Sequence, residues 1–152
     1  MASSFVTTRR VEFCETDMAG IVHFSNFYRW MEQAEHEFFR SLGLTIANHQ
    51  PDGTTLGWPR VTATCRFESP ARYEDVLEVK LMVQRIGVKS LTYDVHFTIG
   101  DRAVAKGTMK TVCCSMARDQ PLRSIVIPNE YTSKLQEYQP EGQTAVNAQS
   151  KS

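Results

Sequence analysis

The chain has few cysteines, and their spacing does not suit a metal site. Its 152 residues include four cysteines, Cys14, Cys65, Cys113 and Cys114, and no two of them form a C-x-x-C pair. Zinc sites and thioredoxin-like redox motifs need such spacing, so neither a metal nor another cofactor is predicted. Reduced thiols are the ordinary state of cysteine in the cytosol, which is the predicted location.

An excess of one charge and long apolar runs are also missing. Lys and Arg together number 17, as do Asp and Glu, so the formal net charge is +0 at pH 7 and nucleic acid is not an expected partner. No apolar run approaches the roughly 18 residues that span a bilayer, so no membrane is expected either. G-x-S-x-G, P-loop and H-x-x-x-H patterns are absent, which argues against serine hydrolases, P-loop enzymes and metallohydrolases.

The length and composition that remain predict one folded domain. A hydrophobic fraction of 41% over 152 residues is enough to bury a core without disulfides. Residues 1–138 carry the periodic patterns and form the predicted domain. Residues 139–152 are polar without periodicity, which is typical of a disordered tail.

A continuous apolar stripe predicts one helix from about Asn26 to Leu42. Its apolar residues recur every three or four positions, as one buried helix face requires. Ser25 or Asn26 is the predicted N-cap, and Gly43 supplies the left-handed residue that ends the helix. The stripe consists of Phe27, Met31, Ala34, Phe38 and Leu42.

Alternating apolar and polar residues predict strands on both sides of this helix in the sequence. Short turns join the later strands, so they pair antiparallel. A short helix is predicted at 129–138. One antiparallel sheet around the apolar helix is the economical arrangement, which makes the fold class α+β. The strand segments are 5–13, 61–67, 77–83, 91–99 and 102–117, with Ile125–Ile127 offering a sixth.

One carboxylate, Asp17, lies in a loop just ahead of the predicted helix. A helix N-terminus directs free N–H groups and partial positive charge at whatever lies in front of it. A carboxylate beside such a carbonyl-polarising dipole supplies the minimum parts of an acyl-transfer site. The residues alone leave a second interpretation open, in which Asp17 is a turn residue that bonds to the next backbone N–H groups.

The residues around Asp17 resemble the 4-hydroxybenzoyl-CoA thioesterase family of hot-dog-fold proteins. That family carries the pattern D-x-x-G-[IV]-V-[aromatic or His]-[aromatic], then N-[YF] and an acidic helical residue. The resemblance covers about residues 5–138, and the order of strands and helix agrees with it. Its motifs here are Val11-Glu12-Phe13, Asp17 to Phe24, Asn26 to Trp30, Glu32, Tyr73 to Leu77, and Lys89-Ser90-Leu91.

The resemblance implies hydrolysis of an aromatic or short- to medium-chain acyl-CoA, with Asp17 as nucleophile or general base. A backbone N–H at the helix start, that of His23 or Phe24, would hold the oxyanion. The His23 ring as a base is a less favoured alternative. A thiolate leaves readily because its thiol has a pKa of roughly 8.5, so no strong general acid is required.

The same resemblance assigns the substrate contacts. Gly20 would allow close approach of the backbone, while Phe27 and Glu32 would line the acyl pocket; Glu32 paired with Arg29 or His36 is the alternative. Lys89, with Arg85 nearby, would meet the CoA phosphates. Two positions depart from the family pattern: Glu35 replaces a frequent arginine, and Gly87-Val88 replaces a basic pair.

The family fold also implies a homodimer or homotetramer with active sites at the subunit interface. Pairing of open sheet edges across a two-fold axis removes an aggregation hazard, so a small sheet agrees with this expectation. Three other functions stay open. They are a hydratase or dehydratase of acyl thioesters, a non-catalytic module that binds acyl-CoA or a carrier protein, and hydrolysis on an acyl carrier protein.

Overall fold

Nine strands form two antiparallel sheets in the computed structural model, which describes residues 3–140. The larger sheet has five strands in the order β1-β5-β6-β7-β4, and the smaller has four in the order β2-β3-β8-β9. The predicted five-stranded antiparallel sheet is confirmed. The strands are β1 (Phe5–Arg10), β2 (Asn48–His49), β3 (Thr55–Gly57), β4 (Arg60–Phe67), β5 (Val76–Ile86), β6 (Ser90–Ile99), β7 (Arg102–Val112), β8 (Cys114–Met116) and β9 (Arg123–Ser124).

Helix α1 (Ser25–Ser41) packs its apolar stripe on one face of the larger sheet. The helix has 17 residues and lies within one residue of the predicted bounds. Ring centroids of Phe27 and Phe97 on β6 are 5.2 Å apart. Each apolar side chain buried in this layer contributes about 1.5–3 kcal/mol, so the stripe accounts for where the helix lies.

The predicted strand 102–117 is in fact two strands that belong to different sheets. β7 ends at Val112 and β8 begins at Cys114. Between them, the Cys113 N–H donates to the Lys89 carbonyl over 2.7 Å, which turns the chain from one sheet to the other. Cys113 and Cys114 lie at this junction, and both are buried.

The C-terminal part of the described chain closes the core. Helix α2 (Asn129–Leu135) continues as a 3-10 helix at Gln136–Tyr138, as the prediction for 129–138 requires. The predicted sixth strand at Ile125–Ile127 is not a ladder strand; its first N–H donates to the Cys113 carbonyl over 2.9 Å. The predicted tail at 139–152 lies, from residue 141 onward, outside the described residues.

The loop before α1 is tied to one end of the larger sheet. The predicted first strand stops at Arg10 rather than residue 13, and Phe13–Glu15 form a 3-10 helix instead. The Val11 N–H donates to the Asp75 carbonyl over 2.8 Å, and the Val22 N–H donates to Ala71 over the same distance. These bonds fix both ends of the loop that carries Asp17.

Candidate active site

The Asp17 carboxylate is half-buried and is oriented by its own turn. Its Oδ1 accepts the Ala19 N–H at 2.8 Å and lies 3.5 Å from the Ile21 nitrogen. Gly20 occupies the left-handed region at φ +77°, which lets the chain double back after the carboxylate. Within residues 3–140, Oδ2 accepts no hydrogen bond. The turn interpretation of Asp17 therefore applies to one oxygen and leaves the other available for chemistry.

A cleft of about 540 Å³ opens beside this carboxylate. Three phenylalanines form its apolar wall: the ring centroids of Phe67 lie 5.5 Å from Phe27 and 6.3 Å from Phe24. Phe67 was not singled out from the sequence, where it appears only as the last apolar residue of an alternating strand. The cleft is lined by Asp17, Ile21, Val22, Phe24, Phe27, Phe67, Glu68, Ser69, Pro70 and Ala71.

The two predicted oxyanion donors differ in availability. The His23 N–H already donates to the Glu15 carbonyl over 2.9 Å. The Phe24 N–H donates to no acceptor within the described part of the chain. Phe24 occupies the N-cap position of α1, and no side chain caps the helix there. Its N–H is thus a free donor at the positive end of the helix.

The residues predicted to cap α1 bond elsewhere. The Ser25 hydroxyl lies 2.8 Å from the His23 Nδ1, and the Asn26 side-chain amide donates to the Glu15 carbonyl over 2.9 Å. The cap prediction was therefore wrong. The His23 ring is exposed, is absent from the cleft lining and has a hydroxyl rather than a carboxylate as its hydrogen-bond partner.

Glu32 does not line the cleft of its own chain. Its side chain is 63% exposed, and its Oε2 lies 4.0 Å from Arg60 Nη2 at the start of β4. Neither Arg29 nor His36, the partners expected for an exposed helix acid, contacts it within the described residues. Glu32 instead lies on the side of α1 next to β4, the strand at the sheet edge.

Lys89 and Arg85 lie at the opposite end of the sheet from Asp17. β5 leaves the Asp17 end at Val76 and reaches Arg85 near its far end. Its 11 residues span roughly 36 Å at about 3.3 Å each. One chain therefore does not bring these two cations to its own Asp17 cleft.

A buried ion pair joins α1 to the start of β4. Glu35 is fully buried and accepts from Arg60 Nη1 at 2.7 Å and Nη2 at 2.9 Å. Burial raises the pKa of the Glu35 carboxyl, while the hydrogen bond from Arg60 acts in the opposite direction. The departure noted at Glu35 thus has a structural counterpart, since this position contacts the strand at the sheet edge.

Comparison with known proteins agrees with this arrangement of fold and cleft. The pattern that defines the thioesterase-like superfamily matches residues 11–135. The chain belongs to this superfamily. It is a thioester hydrolase by class, and the family-level activity is acyl-CoA hydrolysis.

Three similar proteins carry names for related substrates. A 4-hydroxybenzoyl-CoA thioesterase of Pseudomonas sp. (strain CBS-3) is 30% identical over 136 residues, 86% of this chain and 96% of that one. A 1,4-dihydroxy-2-naphthoyl-CoA hydrolase of Synechococcus sp. (strain CC9605) is 28% identical over 69% of this chain and 73% of its own. The solved structure of a gentisyl-coenzyme A thioesterase superposes with a TM-score of 0.73 at 30% identity, covering 87% and 99% of the two chains.

No helix in residues 3–140 has the length and apolar character needed to cross a membrane. The same residues hold no group of three or more His, Cys, Asp or Glu side chains suited to a metal ion.

Proposed function

We propose that the chain hydrolyses the thioester of a hydroxyaryl-CoA in the cleft beside Asp17. The observation that carries the proposal is the pairing of a carboxylate that has one free oxygen with the free Phe24 N–H at the start of α1. Both groups border a cleft with an aromatic wall. A nucleophile or base, an oxyanion donor and an acyl-binding surface are thereby present together.

In this mechanism the thioester carbonyl oxygen accepts the Phe24 N–H. Asp17 either attacks the carbonyl carbon, giving an acyl-carboxylate anhydride that water hydrolyses, or removes a proton from the attacking water. In both routes the C–S bond breaks, CoA leaves as the thiolate, and water supplies the oxygen and proton of the products. The backbone donor stabilises the transition state by about 3 kcal/mol, and the helix dipole acts in the same direction.

The aromatic acyl class is supported by the cleft and by the named relatives. Phe24, Phe27 and Phe67 offer ring faces and edges, and aromatic rings prefer such neighbours by about 0.5–1.5 kcal/mol beyond area burial. The three relatives are named for hydroxylated aromatic acyl groups. Short- and medium-chain aliphatic acyl-CoAs form the comparison class.

The CoA contacts and the assembly belong together in this proposal. Because Lys89 and Arg85 lie far from Asp17 in one chain, they serve the cleft of a second protomer. Pairing of β4 with its copy brings that far end alongside, in a homodimer or in a homotetramer built from two such dimers. The proposed location is the cytosol, where free thiols such as the four cysteines of the described chain are the ordinary state.

The test is steady-state hydrolysis of an acyl-CoA panel, followed by a dye that reacts with the released thiol. We expect hydroxybenzoyl-CoA to exceed aliphatic acyl-CoAs in kcat/KM. Asp17→Asn keeps a side-chain oxygen for the Ala19 N–H and should lower kcat by at least about 100-fold.

Asp52→Asn is the matched control, since Asp52 Oδ1 accepts the Thr54 N–H at 2.9 Å in a similar turn away from the cleft. Retained activity in Asp17→Asn would contradict the proposal. Saturable binding without turnover would indicate a binding module, enoyl-CoA hydration would indicate a hydratase, and preference for an acylated carrier protein would exclude CoA as the natural carrier.

A further inference from the structure

β4 is an open edge of the larger sheet and exposes two large apolar side chains. It ends the strand order β1-β5-β6-β7-β4, so one side of its backbone has no neighbour among the described strands. Val61 is 55% exposed and Phe67 is 47% exposed. Between Arg60 and Arg66, β4 has no charged residue to discourage pairing along the edge. An edge of this kind fits a second copy of itself.

When two copies of β4 pair, the start of one strand lies beside the end of the other. Antiparallel pairing about a two-fold axis puts Arg60 of one protomer near Phe67 of the other, about 5 Å apart between Cα atoms at full overlap. Such an axis runs perpendicular to the sheet, so both α1 helices lie on the same face. The far end of one β4 thereby meets the cleft end of the other.

Arg60 and Phe67 project toward that same face. They are seven positions apart, which would put them on opposite faces of a regular strand. The pairing register with β7 shifts between Arg60 and Thr62, and this irregularity restores the match. Accordingly Arg60 contacts Glu35 on α1, while Phe67 contacts Phe27 on α1.

We propose that Arg60 of one protomer completes the acyl cleft of its partner and donates a hydrogen bond to an oxygen on the far end of the acyl group. Its guanidinium has five N–H donors, and the bonds to Glu35 use two of them. Its side chain is 27% exposed, and Glu32 lies 4.0 Å from it. The buried Glu35 fixes its position, so the donor is held in place before substrate arrives.

This assignment rests on the proposed hydrolysis at Asp17 and concerns the partner's contribution to it. Each cleft then takes its carboxylate, its oxyanion donor and its aromatic wall from one chain. The group that recognises the ring oxygen comes from the other chain. Unsubstituted benzoyl-CoA packs against the same aromatic wall but has no ring oxygen to accept a hydrogen bond from Arg60.

The specificity test replaces the pair as a unit, because Arg60→Met alone leaves Glu35 buried without its cation. The double variant Arg60→Met, Glu35→Met exchanges the ion pair for apolar side chains of similar volume, which proteins tolerate well. We expect the ratio of kcat/KM for 4-hydroxybenzoyl-CoA over benzoyl-CoA to fall at least about 10-fold. An unchanged ratio in a folded double variant would overturn the role of Arg60.

Subunit complementation tests whether Arg60 acts on the partner's cleft. The double variant and Asp17→Asn carry different tags, are refolded together, and the heterodimer is purified on both tags. It holds one site with intact Asp17 and the partner's Arg60, so about half of the wild-type activity toward 4-hydroxybenzoyl-CoA should return. If Arg60 acts within its own chain, the heterodimer gains nothing. Failure of the proposed hydrolysis would appear separately, as full activity of the Asp17→Asn homodimer.

Discussion

At the scale of single residues, the candidate carboxylate Asp17 and the groups around it differ in how far their positions depend on distant parts of the chain. Asp17 and Gly20 are set by a local turn, so a short sequence motif was enough to find both. Phe67 and Arg60 gain their places from the end of β4 and from a register shift in it. No local pattern carries that information, which is why neither was predicted.

A glycine at the contact between helix and sheet provides a stability prediction. A Cβ at Gly107 would lie 2.4 Å from Met31 Cε and 3.3 Å from the Thr64 carbonyl oxygen. Since Met31 is fully buried, its displacement repacks the core, and Gly107→Ala should cost about 1–3 kcal/mol. Urea unfolding measures the loss.

Met31→Ala removes the clashing atoms, so adding it to Gly107→Ala should cost less than the sum of the two single changes. If the loss of unfolding free energy in the double variant equals the sum of the losses in the two single variants, the clash is not the cause of the destabilisation.

The four cysteines should differ in reactivity toward a disulfide reagent at pH 8. Cys14 is exposed, whereas burial raises the pKa of Cys65 to about 11 and that of Cys113 to about 12. Because the thiolate is the reactive form, one thiol should react quickly in the folded protein and four in urea. Cys14→Ser should abolish the fast phase. A fast phase that survives this change would place the reactive thiol elsewhere.

At the scale of elements, a polar cluster ties α1 to β1. Arg9 donates to Gln33 over 2.9 Å and forms an ion pair with Glu37. Burial raises the pKa of the Glu37 carboxyl, but hydrogen bonds from Thr7 and Arg9 and the charge of Arg9 outweigh it. The pKa therefore lies below its ordinary value of 4.5.

This lowered pKa predicts the direction of a pH effect. A carboxyl with a depressed pKa in the folded state stabilises the fold above its unfolded value, and the contribution is lost as pH falls through the folded value. The urea midpoint should therefore drop below pH 4.5, and Glu37→Gln should flatten that drop. Glu130→Gln, on the exposed side of α2, serves as control. An identical pH profile for Glu37→Gln would exclude this carboxyl as the source.

The elements themselves were predictable where periodicity was strong. α1 and the central strands were predicted close to their observed bounds, because their buried faces repeat over many residues. The split between β7 and β8 was missed, since residues 102–117 alternate through the point where the chain changes sheet. The N-cap was also missed, because Ser25 and Asn26 have better partners in the preceding loop.

At the scale of the whole molecule, the two edges of the larger sheet should respond differently to added charge. Val61 on β4 and Val6 on β1 are exposed to similar extents, 55% and 48%. In the proposed pairing Val61 lies opposite Arg66 of the partner subunit, so Val61→Lys sets two like charges side by side and should dissociate the assembly. It should also lower activity per chain, since the cleft then lacks its partner.

Val6→Lys is the matched control and should retain the mass of at least two chains. Light scattering coupled to size exclusion measures the mass of both variants at equal concentration. A single-chain mass for the wild type, or an unaltered assembly for Val61→Lys, would exclude β4 as the subunit interface.

The strand order of the larger sheet also determines how long α1 stays uncovered during synthesis. α1 leaves the ribosome early, but the strands that cover its apolar face are the central β5, β6 and β7, which come later in the chain. At about 5–20 residues per second, roughly 4 to 14 s pass between the addition of Ser41 and that of Val112. For that interval the nascent chain carries an uncovered aromatic helix, and folding of the unit waits for β7. α1 is therefore the segment on which a ribosome-associated chaperone would act.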